Sequence, residues 1–282
     1  MKINHHVSFN VDEEQKARLA EIGIDVQKYA WRMFAWSSKE DVTFDIAEDD
    51  ERWEAVNALF RTWGGTHVPS TKFTAAELNS ASYLNINSTW YCISDDEYLD
   101  NFEDRSSACN RCGIGRKQIH PYRMRMEPKW GTRHVMQYYG HADELFVRPE
   151  VWHDVFKPFG IGCLPVFKKN TDQELKTVVQ LKVDKVSDSY LQTEKLDYEV
   201  CSECNQMIFD LVRRGPLPNF QHDPRCHMFK TRERFCPSAR VFQEIIISQD
   251  LYQAIKKSKI KSLRYIPVSD DVLDNCSGRV VR

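Results

Sequence analysis

Two Cys-x-x-Cys pairs, Cys109-Asn110-Arg111-Cys112 and Cys201-Ser202-Glu203-Cys204, stand 88 residues apart in this 282-residue chain. Zinc prefers four tetrahedral ligands, and thiolates are among its best. Two residues between cysteines let one tight turn aim both sulfurs at a single ion. If the pairs share that ion, residues 113–200 must fold as an insertion whose ends return to one point. The residue after each second cysteine is Gly113 or Asn205, the types that best tolerate a left-handed backbone. The expected ligands are therefore Cys109, Cys112, Cys201 and Cys204. A four-thiolate site leaves no open coordination position, so the zinc is expected to be structural. Two other readings stay open: buried cysteines without metal, or a redox pair. Redox pairs open a helix after a strand, and neither pair has that setting.

The other cysteines are Cys92, Cys163, Cys226, Cys236 and Cys276, making nine in all. An odd count in a reducing compartment argues against a disulfide framework. The N-terminal residues Met1-Lys2-Ile3-Asn4-His5-His6 lack an apolar core and a small-residue cleavage site, so no secretion signal is expected. No apolar run reaches the roughly 18–20 residues of a membrane span. The expected compartment is the cytoplasm, with no membrane partner. Hydrophobic residues at 41% and aromatics at 12% supply a proper core. A net charge of -2 does not indicate a protein that coats nucleic acid.

Patterning predicts helices over 11–22, 49–63, 149–156 and 249–257, with a capping-box start at Thr74. Strands are expected at 42–46, within 83–93, at 177–183, 241–247 and 263–268, with extended segments over 122–139. Three prolines make 213–226 irregular. The mixture has no strict βαβ rhythm, which implies an α+β fold of mixed sheets and short helices, stapled by the four-cysteine site. The division expected is an N-terminal helical and acidic region, 1–70, and a zinc-stapled α+β domain, 71–282. Eight acids against one arginine lie between positions 40 and 60.

Residues 111–133 hold seven Lys or Arg and one acid, Glu127, with Tyr122 and Trp130 interleaved. Such a stripe can grip phosphates and stack bases. Alternation would put Arg123 and Arg125 on one strand face. The candidate binding residues are Arg116, Arg123, Arg125, Lys129, Trp130 and Arg133. A solvated face complementing acidic residues 95–104, or a protein-binding surface, explains the same stripe. His222, Cys226, His227 and Cys236 are candidates for a second metal site, or are loop and core residues. His141-Ala142-Asp143 has the wrong acid for the zinc-deaminase H-x-E pattern, and neither cysteine pair follows a proline. Metalloprotease, nucleophile-elbow and nucleotide-binding signatures are missing. A catalytic Cys–His pair stays open. The seven tryptophans are explained mainly by core packing, with a partner site for one or two.

The two separated Cys-x-x-Cys knuckles resemble the double-CXXCG motif family of bacterial proteins, whose relatives include immunity proteins of polymorphic toxin systems. The tail adds a second likeness: strand, short helix, Lys259-Ile260-Lys261-Ser262-Leu263, then Arg264-Tyr265-Ile266-Pro267. The sequence departs from the family pattern at Asn205, where the motif has glycine. The resemblance implies a non-catalytic zinc protein that binds a protein partner, a toxin in the immunity case. The alternative is a nucleic-acid-binding zinc protein using 111–133. A third is an enzyme whose site shows no motif.

Overall fold

The computed structural model describes residues 1–31, 39–92, 103–139, 141–236 and 240–273. They form two compact units. The first is Met1–Thr74 with Val212–Gly215 and Leu273; the second is Ala75–Leu211 with Pro216–Val272. The chain crosses between units at 74/75 and returns to the first at 212–215, so the division is not the single cut at residue 70 that the sequence suggests.

In the first unit, strands β1 (Lys2–Val11), β2 (Ala30–Trp31), β3 (Glu40–Ala47) and β4 (Thr66–Lys72) make an antiparallel sheet ordered β2-β3-β1-β4. Helices α1 (Glu13–Glu21), α2 (Val26–Tyr29) and α3 (Trp53–Trp63) accompany it. Sheet therefore dominates a region expected to be helical. The reason is period-2 burial along β1, where His5, Val7, Phe9 and Val11 point inward. Asp12 caps α1 through a reciprocal box with Gln15. Helix α3 buries Trp53 and Val56 against Val7, Phe9 and Phe44. It starts later than position 49 because Asp50 Oδ1 accepts from the Arg52 backbone N–H at 3.0 Å, making a turn first.

The second unit holds two larger sheets. One is ordered β6-β10-β11-β13-β12-β9. Its strands are β6 (Tyr91–Cys92), β9 (Arg123–Met124), β10 (Val135–Tyr138), β11 (His141–Val147), β12 (Gly162–Lys168) and β13 (Glu174–Lys182). The other comprises β5 (Tyr83–Ser88), β16 (Leu217–Pro218), β17 (Met228–Lys230), β18 (Ile245–Ser248) and β19 (Leu263–Ser269), ordered β16-β19-β5-β18-β17. Three helices complete the unit: α4 (Ala75–Ser80), α5 (Pro149–Val151, continuing in π and 3₁₀ turns to Phe159) and α6 (Gln249–Lys257). Ser248 caps α6, whose Leu251, Tyr252 and Ile255 face inward. They join Leu84, Ile86, Leu145, Phe156, Leu181, Ile245 and Ile247 in one core. Each such buried side chain contributes about 1.5–3 kcal/mol. The architecture is α+β with mixed sheets and short helices.

Two short ribbons complete this unit: β7 (Glu103–Asp104) with β8 (Lys117–Gln118), and β14 (Tyr198–Val200) with β15 (Met207–Phe209). Among the described residues, no helix is long and apolar enough to cross a membrane.

Candidate metal centre

Each cysteine pair sits at the tip of one of these ribbons, and the two tips are built alike. In the first, the Gly113 N–H donates to Cys109 O at 2.8 Å and the Cys109 N–H to Ile114 O at 2.9 Å. In the second, the Asn205 N–H donates to Cys201 O and the Cys201 N–H to Gln206 O, both at 2.9 Å. Closing this turn requires a left-handed residue after the second cysteine, and φ is 73° at Gly113 and 56° at Asn205.

The turns bring the four sulfurs together. Cys109 Sγ lies 3.7 Å from Cys201 Sγ, and Cys112 Sγ lies 3.6 Å from Cys204 Sγ. All four fall within 4.8 Å of one another and can hold a metal ion. A tetrahedral ion with metal–sulfur bonds of about 2.3 Å sets its sulfurs about 3.8 Å apart, close to these distances. Ile114, Ile208 and Val241 shield the group with apolar surface. The knuckles also brace each other. Glu203 accepts from the Arg111 backbone N–H at 3.1 Å, and Arg111 Nη1 donates to Ser202 Oγ at 2.9 Å. That brace was not legible beforehand, because Glu203 carries no motif of its own.

The thiols differ in acidity. Hydrogen bonds from the Cys204 and Glu203 backbone N–H groups bring Cys201 down to about 6. Burial pushes Cys112 up to about 12. Backbone donors thus favour the thiolate at Cys201, while burial opposes it at Cys112.

The basic segment does not form the expected stripe. Tyr122 and Trp130 are 2% and 6% exposed, so neither is a stacking platform. Trp130 Nε1 donates to Thr177 O at 2.9 Å. The strand here covers only Arg123–Met124, too short to align Arg125 with Arg123. Arg123 pairs with Asp172 at 3.2 Å and lies over the Phe167 ring. The Arg133 guanidinium lies over Trp90, and Arg125 and Lys129 are exposed. Arg116 lines a cavity elsewhere. Of the acidic residues expected to complement the segment, 95–102 lie outside the described residues; Glu103 pairs with Arg240.

Among the described residues, no second group of ligands is gathered. Cys226 Sγ contacts Met228 O at 3.5 Å, and His227 Nδ1 lies 2.9 Å from Ser248 Oγ. His141 is buried with Nδ1 2.9 Å from the Tyr122 hydroxyl, and burial lowers its pKa to about 3. Cys276 and Trp36 lie outside the described residues. No protein-family model matches the chain, and no curated protein matches it in sequence.

Proposed function

We propose that the four-cysteine centre holds zinc as a structural staple and that the protein acts by binding another protein, without catalysis. The observation that carries the first part is the donor set: four thiolates at near-tetrahedral spacing use every position zinc offers. The second part rests on the ribbon that presents the second knuckle. Tyr198, Val200 and Met207 are 54, 55 and 51% exposed. Tyr198 and Val200 are two apart, and Met207 is the cross-strand partner of Val200, so all three share a face. The opposite face sends Ile208 into the sulfur cluster. An aromatic and a methionine in an apolar patch suit the centre of a protein interface.

Within that reading, the resemblance of the knuckles to the double-CXXCG family favours an immunity protein that neutralises a toxin in the bacterial cytoplasm. The acids of the first unit suit a basic partner, since complementary charge speeds encounter. The test has two stages. Metal analysis of purified protein is expected to give one zinc per chain, lost in Cys112→Ser. Affinity capture from the native host is expected to recover a partner whose binding the triple variant Tyr198→Ser, Val200→Ser, Met207→Ser abolishes while zinc is retained. Undiminished capture by that variant sinks the assignment of the surface; no partner and no neighbouring toxin gene sinks the immunity reading.

A further inference from the structure

Beside the first knuckle, the second unit contains a cavity of about 410 Å³, within the size range of small-molecule sites. Its lining carries six cationic side chains and four acidic ones, a surplus of two positive charges. Most of these charges are already paired. Lys230 lies 2.8 Å from Glu144 and 3.6 Å from Asp143. Glu144 also accepts from Gln180 Nε2 at 2.7 Å. Arg240 pairs with Glu103, and Lys182 with Asp184 at 2.9 Å.

What remains is Arg116, Lys117 and Arg234. Among the described residues, neither the Arg116 nor the Arg234 guanidinium has a hydrogen bond or an ion pair. Neither is freely solvated. Burial lowers the pKa of both below the ordinary arginine value, and the nearby charge of Arg240 adds to the effect at Arg116; Glu103 and Cys112 at Arg116, and Asp143 and Cys112 at Arg234, offset it only in part. Cations taken partly out of water without a partner destabilise a fold. An anion entering from solution removes that penalty.

Gly113 makes room for Arg116. A Cβ at Gly113 would overlap its guanidinium, so the knuckle glycine leaves the room in which that group sits. Leu164, Leu181, Val183 and Val241 supply apolar surface in the same cavity.

We propose that this cavity binds a small molecule carrying a phosphomonoester, with Arg116 and Arg234 gripping the phosphate and Lys117 at its edge. One phosphomonoester carries close to two negative charges at neutral pH and offers oxygens to both guanidinium groups from a single group. Guanidinium forks fit phosphate oxygens in paired hydrogen bonds. The carbon portion of the ligand lies against the apolar side chains. This site does not depend on the identity of any protein partner.

The test is calorimetric titration of the intact, metal-loaded protein with inorganic phosphate, phenyl phosphate and malonate, at ionic strength held constant with chloride. Saturable binding of one phosphate and one phenyl phosphate per chain is expected. Arg116→Gln and Arg234→Gln should each weaken it about ten-fold, the size of one lost charge-assisted hydrogen bond. Among the described residues neither arginine makes an ion pair, so both variants should fold and keep their metal. If either fails to fold, Lys117→Gln, an exposed position, is expected to weaken binding about three-fold. The proposal is overturned by absence of saturable phosphate binding, by binding that survives intact in the foldable variants, or by tighter binding of malonate than of phosphate.

Discussion

A metal staple and a set of buried thiols make different predictions when two cysteines are removed together. Consider Cys112→Ser, Cys201→Ser and the double variant. In the staple, one ion ties Cys109 to Cys201, 92 positions apart. A cross-link closing a loop of that length removes about 4.6 kcal/mol of entropy from the unfolded chain in the loop-closure account. Losing one ligand loses the ion, so each single variant should forfeit the whole of this stabilisation. The double variant should lose little more, leaving a coupling of roughly 4–5 kcal/mol between the two sites. For a domain of this size, each kcal/mol moves Tm by about 2–4 °C, so falls of roughly 10–20 °C are expected. The assay is thermal and urea unfolding followed by circular dichroism, with metal content measured on the same samples. Wild type treated with a strong chelator should match either single variant. If the thiols were only core groups, each serine would cost about 1–2 kcal/mol and the losses would add. Additive losses, or a chelator without effect on Tm, would refute the staple.

Two further outcomes follow from single side chains. Asn205 sits at φ 56°, so Asn205→Ala should cost about 1 kcal/mol in urea unfolding, while Asn205→Gly should be close to neutral. A glycine variant as destabilised as the alanine one would show that the Asn205 side chain, not its backbone, matters. Glu244 is buried, accepts from Asn85 Nδ2 at 2.7 Å, and is pushed by burial from an ordinary 4.5 up to about 7. Its folded-state pKa lies above its unfolded one, so the unfolded chain ionises first as pH rises. Stability should therefore fall between about pH 4.5 and 7, by on the order of 3 kcal/mol. Glu244→Gln keeps an acceptor for Asn85 and should remove that slope; unfolding curves whose pH dependence is unchanged would reject the assignment.

The cysteine geometry was legible because a knuckle is local. Spacing, a left-handed residue and two backbone hydrogen bonds are all settled within six residues, and only the meeting of the two turns needed the fold. Helix α6 and strand β18 were legible for a similar reason: an amphipathic stripe and the β-branched run Ile245-Ile246-Ile247 are short-range signals. Strand β1 was missed because its inward row is Ile3, His5, Val7, Phe9 and Val11, and the histidine disguises the alternation. His5 is nevertheless 3% exposed, stacked on Trp53 at 3.7 Å with its Nε2 3.1 Å from Glu48. Strand β4 was missed through Pro69, which the fold tolerates because β4 is an edge strand. The basic segment misled in the opposite direction. Counting charges along 111–133 treated them as neighbours, whereas Arg111, Arg116 and Arg123 leave toward Ser202, the cavity and Asp172 respectively. The cavity itself assembles residues near 115, 144, 182 and 234, a juxtaposition no local pattern encodes.

The two knuckles share a backbone but not a burden, and this explains where the sequence departs from glycine. At 205 the demand is conformational, a left-handed residue that lets the turn close, and asparagine meets it with φ 56°. At 113 a second demand is added. The volume a side chain would occupy belongs to the Arg116 guanidinium, so even a residue content with φ 73° would displace it. Gly113 therefore serves the sulfur cluster through its dihedral angle and the cavity through its missing Cβ. Arg116 thus stands at the wall of a cavity that Arg234, from a segment more than a hundred residues away, also lines.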